Sequence, residues 1–207
     1  TAIISNITSS QGHDGVAYER FTPNGPLALL PMSAGRSALV WTQPDAQVDE
    51  VMTLSDAAFL EALQDAFGFR MGALTRVGQR HAYPLSLIEA EEQVRTGLVV
   101  LGNAAHSLHP IAGQGFNLSL RDAMALADTL IDAPAHGAPG DLRLLEGYLD
   151  RQRQDQQQTI AFSDGLTRLF SNRRPVLAAG RNLGLLGMDI VAPLKSVFAR
   201  QAMGLKG

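Results

Sequence analysis

The chain has 207 residues, of which 45% are hydrophobic and 18% charged, enough for one large domain or two small ones whose core needs no covalent staples. A formal net charge of −3 lacks the broad basic footprint of a nucleic-acid binder. The absence of cysteine excludes disulfides and thiolate chemistry and fits a cytoplasmic protein. The chain opens without an initiator Met on a β-branched run already under way, and reads as part of a longer protein. Ala2 to Thr8 predicts a strand, and Val16 to Phe21 a second one. The turn-prone Thr22-Pro-Asn-Gly-Pro26 leads to Leu27–Leu30, and the Ser33–Arg36 turn leads to Ala38–Thr42. Turns of this composition and spacing predict antiparallel strands.

From Leu54 to Gly68 the apolar period changes. Ser55 can cap a helix, Phe59, Leu60, Leu63, Ala66 and Phe67 share one helical face, and Gly68 closes it. Strand-like sequence returns from Val77 to Leu87, with Pro84 marking an edge or break. Leu98-Val-Val-Leu101, bounded by Gly97 and Gly102, predicts a buried strand. A Gly- and Pro-rich loop follows, then a helix from Phe116 to Asp132 with Phe116, Leu120, Met124, Ala127 and Ile131 at helical spacing. Ala133–Gly140 reads as a linker, and Asp141 to Phe170 as a helix. Arg151, Arg153 and the neighbouring glutamines read as a solvated face. The tail from Pro175 to Met203 carries apolar residues and scattered cations. It admits two readings, a surface helix for peripheral membrane or partner contact and a helix packed on the body. Its charges rule out a clean membrane span.

The stretch Gly102-Asn-Ala-Ala-His-Ser-Leu-His-Pro-Ile-Ala-Gly-Gln-Gly-Phe-Asn117, continuing to Asp122, carries the chemistry. A hydrophobic strand stops at a glycine, which is where open α/β sheets place ligands. Gly113 and Gly115 then let backbone approach a ligand just before a helix. The free N–H groups and positive dipole end of that helix favour negative charge, whether a reduced flavin or a phosphate. His106 and His109 stand three apart with no third ligand, so no metal is expected. No Ser/His/Asp or Cys nucleophile constellation is present.

This stretch resembles the second FAD-binding motif of the class A flavoprotein monooxygenases, the para-hydroxybenzoate hydroxylase-like group. Within it the chain is similar to the ubiquinone-biosynthesis branch acting on 2-polyprenyl-6-methoxyphenol. Ala17-Tyr-Glu-Arg-Phe-Thr-Pro-Asn-Gly-Pro-Leu-Ala-Leu-Leu-Pro-Met32, Ala82-Tyr-Pro-Leu85 and Asn172-Arg173 add to the likeness. The resemblance implies an α+β protein of the α/β family, here its C-terminal part. Residues 1–95 would be a mostly antiparallel substrate-domain sheet, 96–132 a strand–loop–helix of the FAD-binding domain, and 133–207 a C-terminal helical region. The glycine fingerprint and middle Asp-Gly motif of the group would lie upstream of Thr1.

The resemblance also implies site residues. Gly102 and Asn103 would meet the polyol of FAD; the group's usual residue after that glycine is Asp, and an amide both accepts and donates where a carboxylate only accepts. His106 and Pro110 would line the flavin side of the loop. Gly113, Gln114 and Gly115 would bring N–H groups to the pyrimidine edge, Asn117 would brace the helix start, and Asp122 would serve structure. Tyr18, Arg20, Trp41 and Tyr83 would face substrate from the sheet, packing being the commoner role for each taken singly. Leu27, Leu29, Leu30 and Val40 would suit a long apolar substrate tail. The implied activity is hydroxylation of a polyprenylated (methoxy)phenol with FAD, NAD(P)H and O2. Its implied partners are the polyprenylphenol and other ubiquinone-biosynthesis proteins, and the oligomeric state stays open, a homo-oligomer included. This part alone is expected to be inactive and not to retain FAD. The alternatives are a non-catalytic lipid-quinone-binding or scaffold module, and another flavin-dependent oxidoreductase. Halogenases of the superfamily need a lysine near the flavin, and no lysine precedes Lys195.

Overall fold

The computed structural model describes residues 1–108 and 113–171, with positions 184, 186, 187, 190, 193 and 196 beyond them; the side chains of 134–136 are outside the description. Pro110, His109, Asn172-Arg173 and most of the tail reading therefore lie outside the described residues. The chain forms two compact units, Thr1–Leu85 with Thr167–Gly184, and Ser86–Leu166 with Leu185–Gly207.

The first unit is built on six antiparallel strands: β1 (Ala2–Ser9), β2 (Tyr18–Thr22), β3 (Gly25–Pro31), β4 (Arg36–Thr42), β5 (Leu74–Val77) and β6 (His81–Tyr83). Their order is β2-β3-β4-β1-β5, with β6 pairing the first half of β1 and β5 the second. Strand period places Ile3, Ile7, Leu27, Leu29, Leu39 and Trp41 on one face. That face is covered by α1 (Asp45–Thr53) and α2 (Asp56–Phe67), whose Phe59, Leu63 and Phe67 complete the core.

Local chemistry explains α2. The Ser55 hydroxyl accepts from the Ala58 N–H at 3.2 Å, satisfying one of the orphan donors at the helix start. Gly68 ends the helix, its N–H donating to the Gln64 carbonyl at 2.7 Å. The Gln64 side chain then stitches the following turn, donating to the Gly68 carbonyl (2.6 Å) and accepting from the Leu74 N–H (2.7 Å). Phe59 meets Trp41 edge-on, with centroids 5.5 Å apart. The Arg80 guanidinium lies 4.9 Å above the Phe59 ring. On the other side of the sheet, Phe170 from the last turn of α4 (Leu142–Phe170) stacks on Phe21 at 4.8 Å.

The expected strand from Val77 to Leu87 is interrupted. Gly78 to Arg80 leave the ladder, and the Arg80 side chain instead donates to the Leu54 carbonyl and to Asp56 (2.7 and 3.0 Å). Helix α1 had no counterpart in the sequence reading.

The second unit holds two pairs of two-residue strands: β7 (Ile88–Glu89) with β10 (His106–Ser107), and β8 (Val94–Arg95) with β9 (Leu98–Val99). It also holds α3 (Gln114–His136) and α4 as far as Leu166. The buried strand expected at Leu98–Leu101 is corrected: β9 is two residues long and Leu98 is 51% exposed. Four apolar residues between two glycines specify a strand but not what covers it. Here the single partner β8 is equally short. Val94, Leu145 and Tyr148 form a small apolar core with Ala125, Leu126 and Leu149 packed on it. Arg121 joins α3 to α4 through Asp155 (2.6 Å) and Thr159 (3.1 Å), and Arg151 donates to the Thr129 hydroxyl at 2.7 Å. Arg151 and Arg153 are nonetheless exposed, as the solvated-face reading has them, and Gln156 is the buried exception among the neighbouring glutamines.

Candidate functional site

The site candidates in the second unit converge on the start of α3. A tight 3-10 turn, Gly102–Ala104, precedes β10. Gly102 takes a left-handed conformation (φ 63°), and a side chain added there would come within 3.9 Å of the Ser119 hydroxyl on α3. Gly102 and Asn103 therefore lie beside the first turns of the helix. Asn103 is exposed.

Gly113 stands at the N-cap of α3 with φ 65°, and among the described residues no side chain caps the helix. No acidic residue sits in the first turn, so the positive end of the helix dipole is left without a local counter-charge. The Asn117 N–H closes the first turn on the Gly113 carbonyl at 3.1 Å, and the Ser119 hydroxyl donates to the Gly115 carbonyl at 2.8 Å. A side chain at Gly113 would meet nothing within 4 Å, and one at Gly115 would meet only Leu108 at 3.7 Å. The backbone here is open to close approach. Gln114 is buried.

Beneath this entrance runs a buried polar chain. His106 (1% exposed) and Asp122 (0%) meet at 2.8 Å through Nε2 and Oδ2. The Gln156 amide donates to the same Oδ2 at 3.1 Å. Gln156 and Gln93 exchange two further hydrogen bonds at 3.2 and 3.3 Å. Tyr148 lies in the adjoining apolar core. Burial, and secondarily the Asp122 carboxylate, push its hydroxyl well above the ordinary tyrosine range. Two atoms of the chain, His106 Nδ1 and Asp122 Oδ1, are buried without a hydrogen-bond partner. Sequence reasoning placed His106 and Asp122 in the motif but missed Gln93 and Gln156. Gln156 was absorbed into a solvated face, yet it is buried. Nothing in a Gln-rich stretch marks which glutamine turns inward.

The four sheet candidates belong to the first unit and do not share one face. Trp41 is 4% exposed in the core. Tyr18 meets Phe67 edge-on at 6.2 Å, and Arg20 donates to the Phe67 carbonyl at 2.9 Å. Tyr83 pairs with Ala2, on the face turned away from α1 and α2, and is exposed. Leu27 and Leu29 are core residues, while Leu30 and Val40 register with Ala38 and Ala28 on Tyr83's side. Among the described residues no group of three His, Cys, Asp or Glu could hold a metal ion, and no helix is long and apolar enough to cross a membrane.

The donor set suits a flavin dinucleotide: an uncapped helix entrance, glycines open to approach and an unpartnered buried ring nitrogen. Comparison with known proteins agrees. The chain is 40% identical over 205 residues to the ubiquinone hydroxylase UbiL of Rhodospirillum rubrum, covering 99% of this chain and 48% of that protein. It is 34% identical over 189 residues to the 3-demethoxyubiquinol 3-hydroxylase of Escherichia coli, covering 91% and 48%. The chain thus spans about half the length of the curated relatives it matches. Its fold is similar to that of p-nitrophenol 4-monooxygenase PnpA of Pseudomonas putida DLL-E4, with a TM-score of 0.73 and 19% identity over 100% of this chain and 53% of that one. This is the para-hydroxybenzoate hydroxylase-like fold of the class A flavin monooxygenases. With residues 3–163 matching the model of the FAD binding domain, the chain belongs to that family.

Proposed function

We propose that the chain is the C-terminal part of an FAD-dependent aromatic hydroxylase of ubiquinone biosynthesis, acting on a polyprenylated (methoxy)phenol with NAD(P)H and O2. The observation that carries the reading is the uncapped, glycine-lined start of α3 in a chain 40% identical to a ubiquinone hydroxylase. Bound FAD would supply the chemistry: it takes reducing equivalents from NAD(P)H and activates O2 for transfer of one oxygen atom to the ring. The chain's own residues bind and orient. Backbone N–H groups of Gly113, Gln114 and Gly115 hold the pyrimidine edge, where negative charge gathers on reduction. Pre-aligned donors are worth most at such a place, because they need no reorganisation when the charge appears. Gly102 and Asn103 hold the polyol, His106 and Pro110 flank the ring system, and Asn117 secures the first helical turn. On the sheet, Tyr83, Leu30 and Val40 are the residues of the face turned away from α1 and α2 suited to an aromatic head and a prenyl tail. Tyr18, Arg20 and Trp41 support that sheet from its other side.

The test uses the full-length protein with FAD, NADPH, a polyprenylphenol and isotopically labelled O2. The expected product is one oxygen atom heavier and carries the label. Oxidation of NADPH with no oxygenated product from any polyprenylphenol would refute the proposal.

A further inference from the structure

We infer that Asp122 is a positioning residue: through His106 Nε2 it fixes the imidazole tautomer, so that His106 Nδ1 accepts a hydrogen bond from a hydroxyl or imide N–H of the bound flavin dinucleotide. The inference rests on the reading that the segment from Gly102 to Asn117 holds FAD.

The argument begins with the carboxylate. Asp122 Oδ2 receives the Gln156 amide N–H at 3.1 Å and faces His106 Nε2 at 2.8 Å. The Gln156 amide also exchanges a reciprocal pair of hydrogen bonds with Gln93. An ionised carboxylate only accepts, so in the neutral imidazole the one ring proton sits on Nε2. Nδ1 is then a lone-pair acceptor, and it is buried without a partner. Buried polar side-chain atoms are nearly always hydrogen-bonded, so an orphan of this kind asks for the group that completes it. His106 sits in β10, two residues past the Gly102–Ala104 turn that lies beside the first turns of α3. The completing group must be a donor. FAD carries donors in the ribityl and ribose hydroxyls, the N3–H imide of the ring and the adenine amine, whereas its phosphates only accept; the Gly102–Asn117 segment, so read, sets the polyol and the ring, not the adenine, beside His106. Orientation of a histidine by a carboxylate on its far nitrogen is the arrangement that holds histidines toward a ligand in other sites.

The test separates the two nitrogens. In full-length His106→Gln the amide nitrogen takes the place of Nε2 and keeps the bond to Asp122, while the Nδ1 acceptor is lost. The expected result is an FAD dissociation constant raised about tenfold, the value of one lost hydrogen bond, with the melting temperature unchanged. A residue serving only to clasp β10 to α3 would leave affinity untouched, and equal affinity in wild type and variant overturns the inference. Should the variant fail to fold, nitrogen-15 imidazole spectra of the wild type decide. The Nδ1 resonance of His106 is expected to shift on addition of FAD while Nε2 keeps its proton; an unmoved Nδ1, or any proton found on Nδ1, overturns it. A wild type that takes up no FAD defeats the function proposed above and not the tautomer assignment, which the same spectra report without ligand.

Discussion

Asp122→Ala removes the acceptor shared by two buried donors, His106 Nε2 and Gln156 Nε2. Each buried donor left unmade costs about 1–3 kcal/mol. Removing the carboxylate also removes its own burial penalty, so the net expectation is about 3 kcal/mol of lost stability. Asp122→Asn keeps one acceptor oxygen and is expected to lose about 1–2 kcal/mol. Asp128 on the same helix is exposed, and Asp128→Ala, the control, should stay within about 0.5 kcal/mol. Urea unfolding followed by circular dichroism measures all three, with the midpoint falling at constant slope if the change is in stability alone. A second readout comes from Tyr148, whose hydroxyl is held up partly by the Asp122 charge; both variants should ionise it at lower pH. An Asp122→Ala protein as stable as the Asp128→Ala control would refute the account of the buried chain.

Tyr148 gives a pH dependence of defined sign. Its folded-state value lies above the ordinary tyrosine value of 10.0, so its stabilising contribution is complete below pH ~10 and is lost as pH rises beyond it. Stability in urea should therefore fall above pH ~10, and Tyr148→Phe should flatten that part of the fall. Ser55→Ala deletes the hydroxyl that caps α2 and should lower unfolding free energy by about 1 kcal/mol. Gly25→Ala meets both a backbone of φ +130° and the Thr42 side chain, 2.6 Å from the added carbon. The β2–β3 hairpin should lose about 2–4 kcal/mol, seen as a lower melting temperature.

The first unit was legible because its signals are local. Strand period, the turn at Pro23-Asn24 and the cap at Ser55 each act within a few residues, and β1 to β4 and α2 fell where those signals put them. Helix α1 was missed because only Val48 of its nine residues is buried, too little for a periodic stripe to show. For α3 the period was right, but the apolar residues that carry it lie outward. Phe116, Leu120, Met124 and Ile131 are exposed, while Gln114, Leu118, Asp122 and Thr129 are buried. An apolar stripe predicts the buried face only when burial is apolar, and here the inner face is held by hydrogen bonds and ion pairs to α4. The motif from Gly102 to Asn117 was legible as a glycine-lined helix entrance. Its supporting chain was not, because Gln93 and Gln156 are separated by 63 positions and neither has a distinctive residue type.

The reversed polarity of α3 has a practical consequence. Phe116 and Ile131, each 74% exposed, stand with Leu120 and Met124 on the water side of one helix, presenting a greasy rail along much of its length. Contiguous apolar surface of this kind drives self-association in water. Preparations of these 207 residues by themselves should scatter light increasingly with concentration, and a mild detergent or polar replacements along the rail should disperse them.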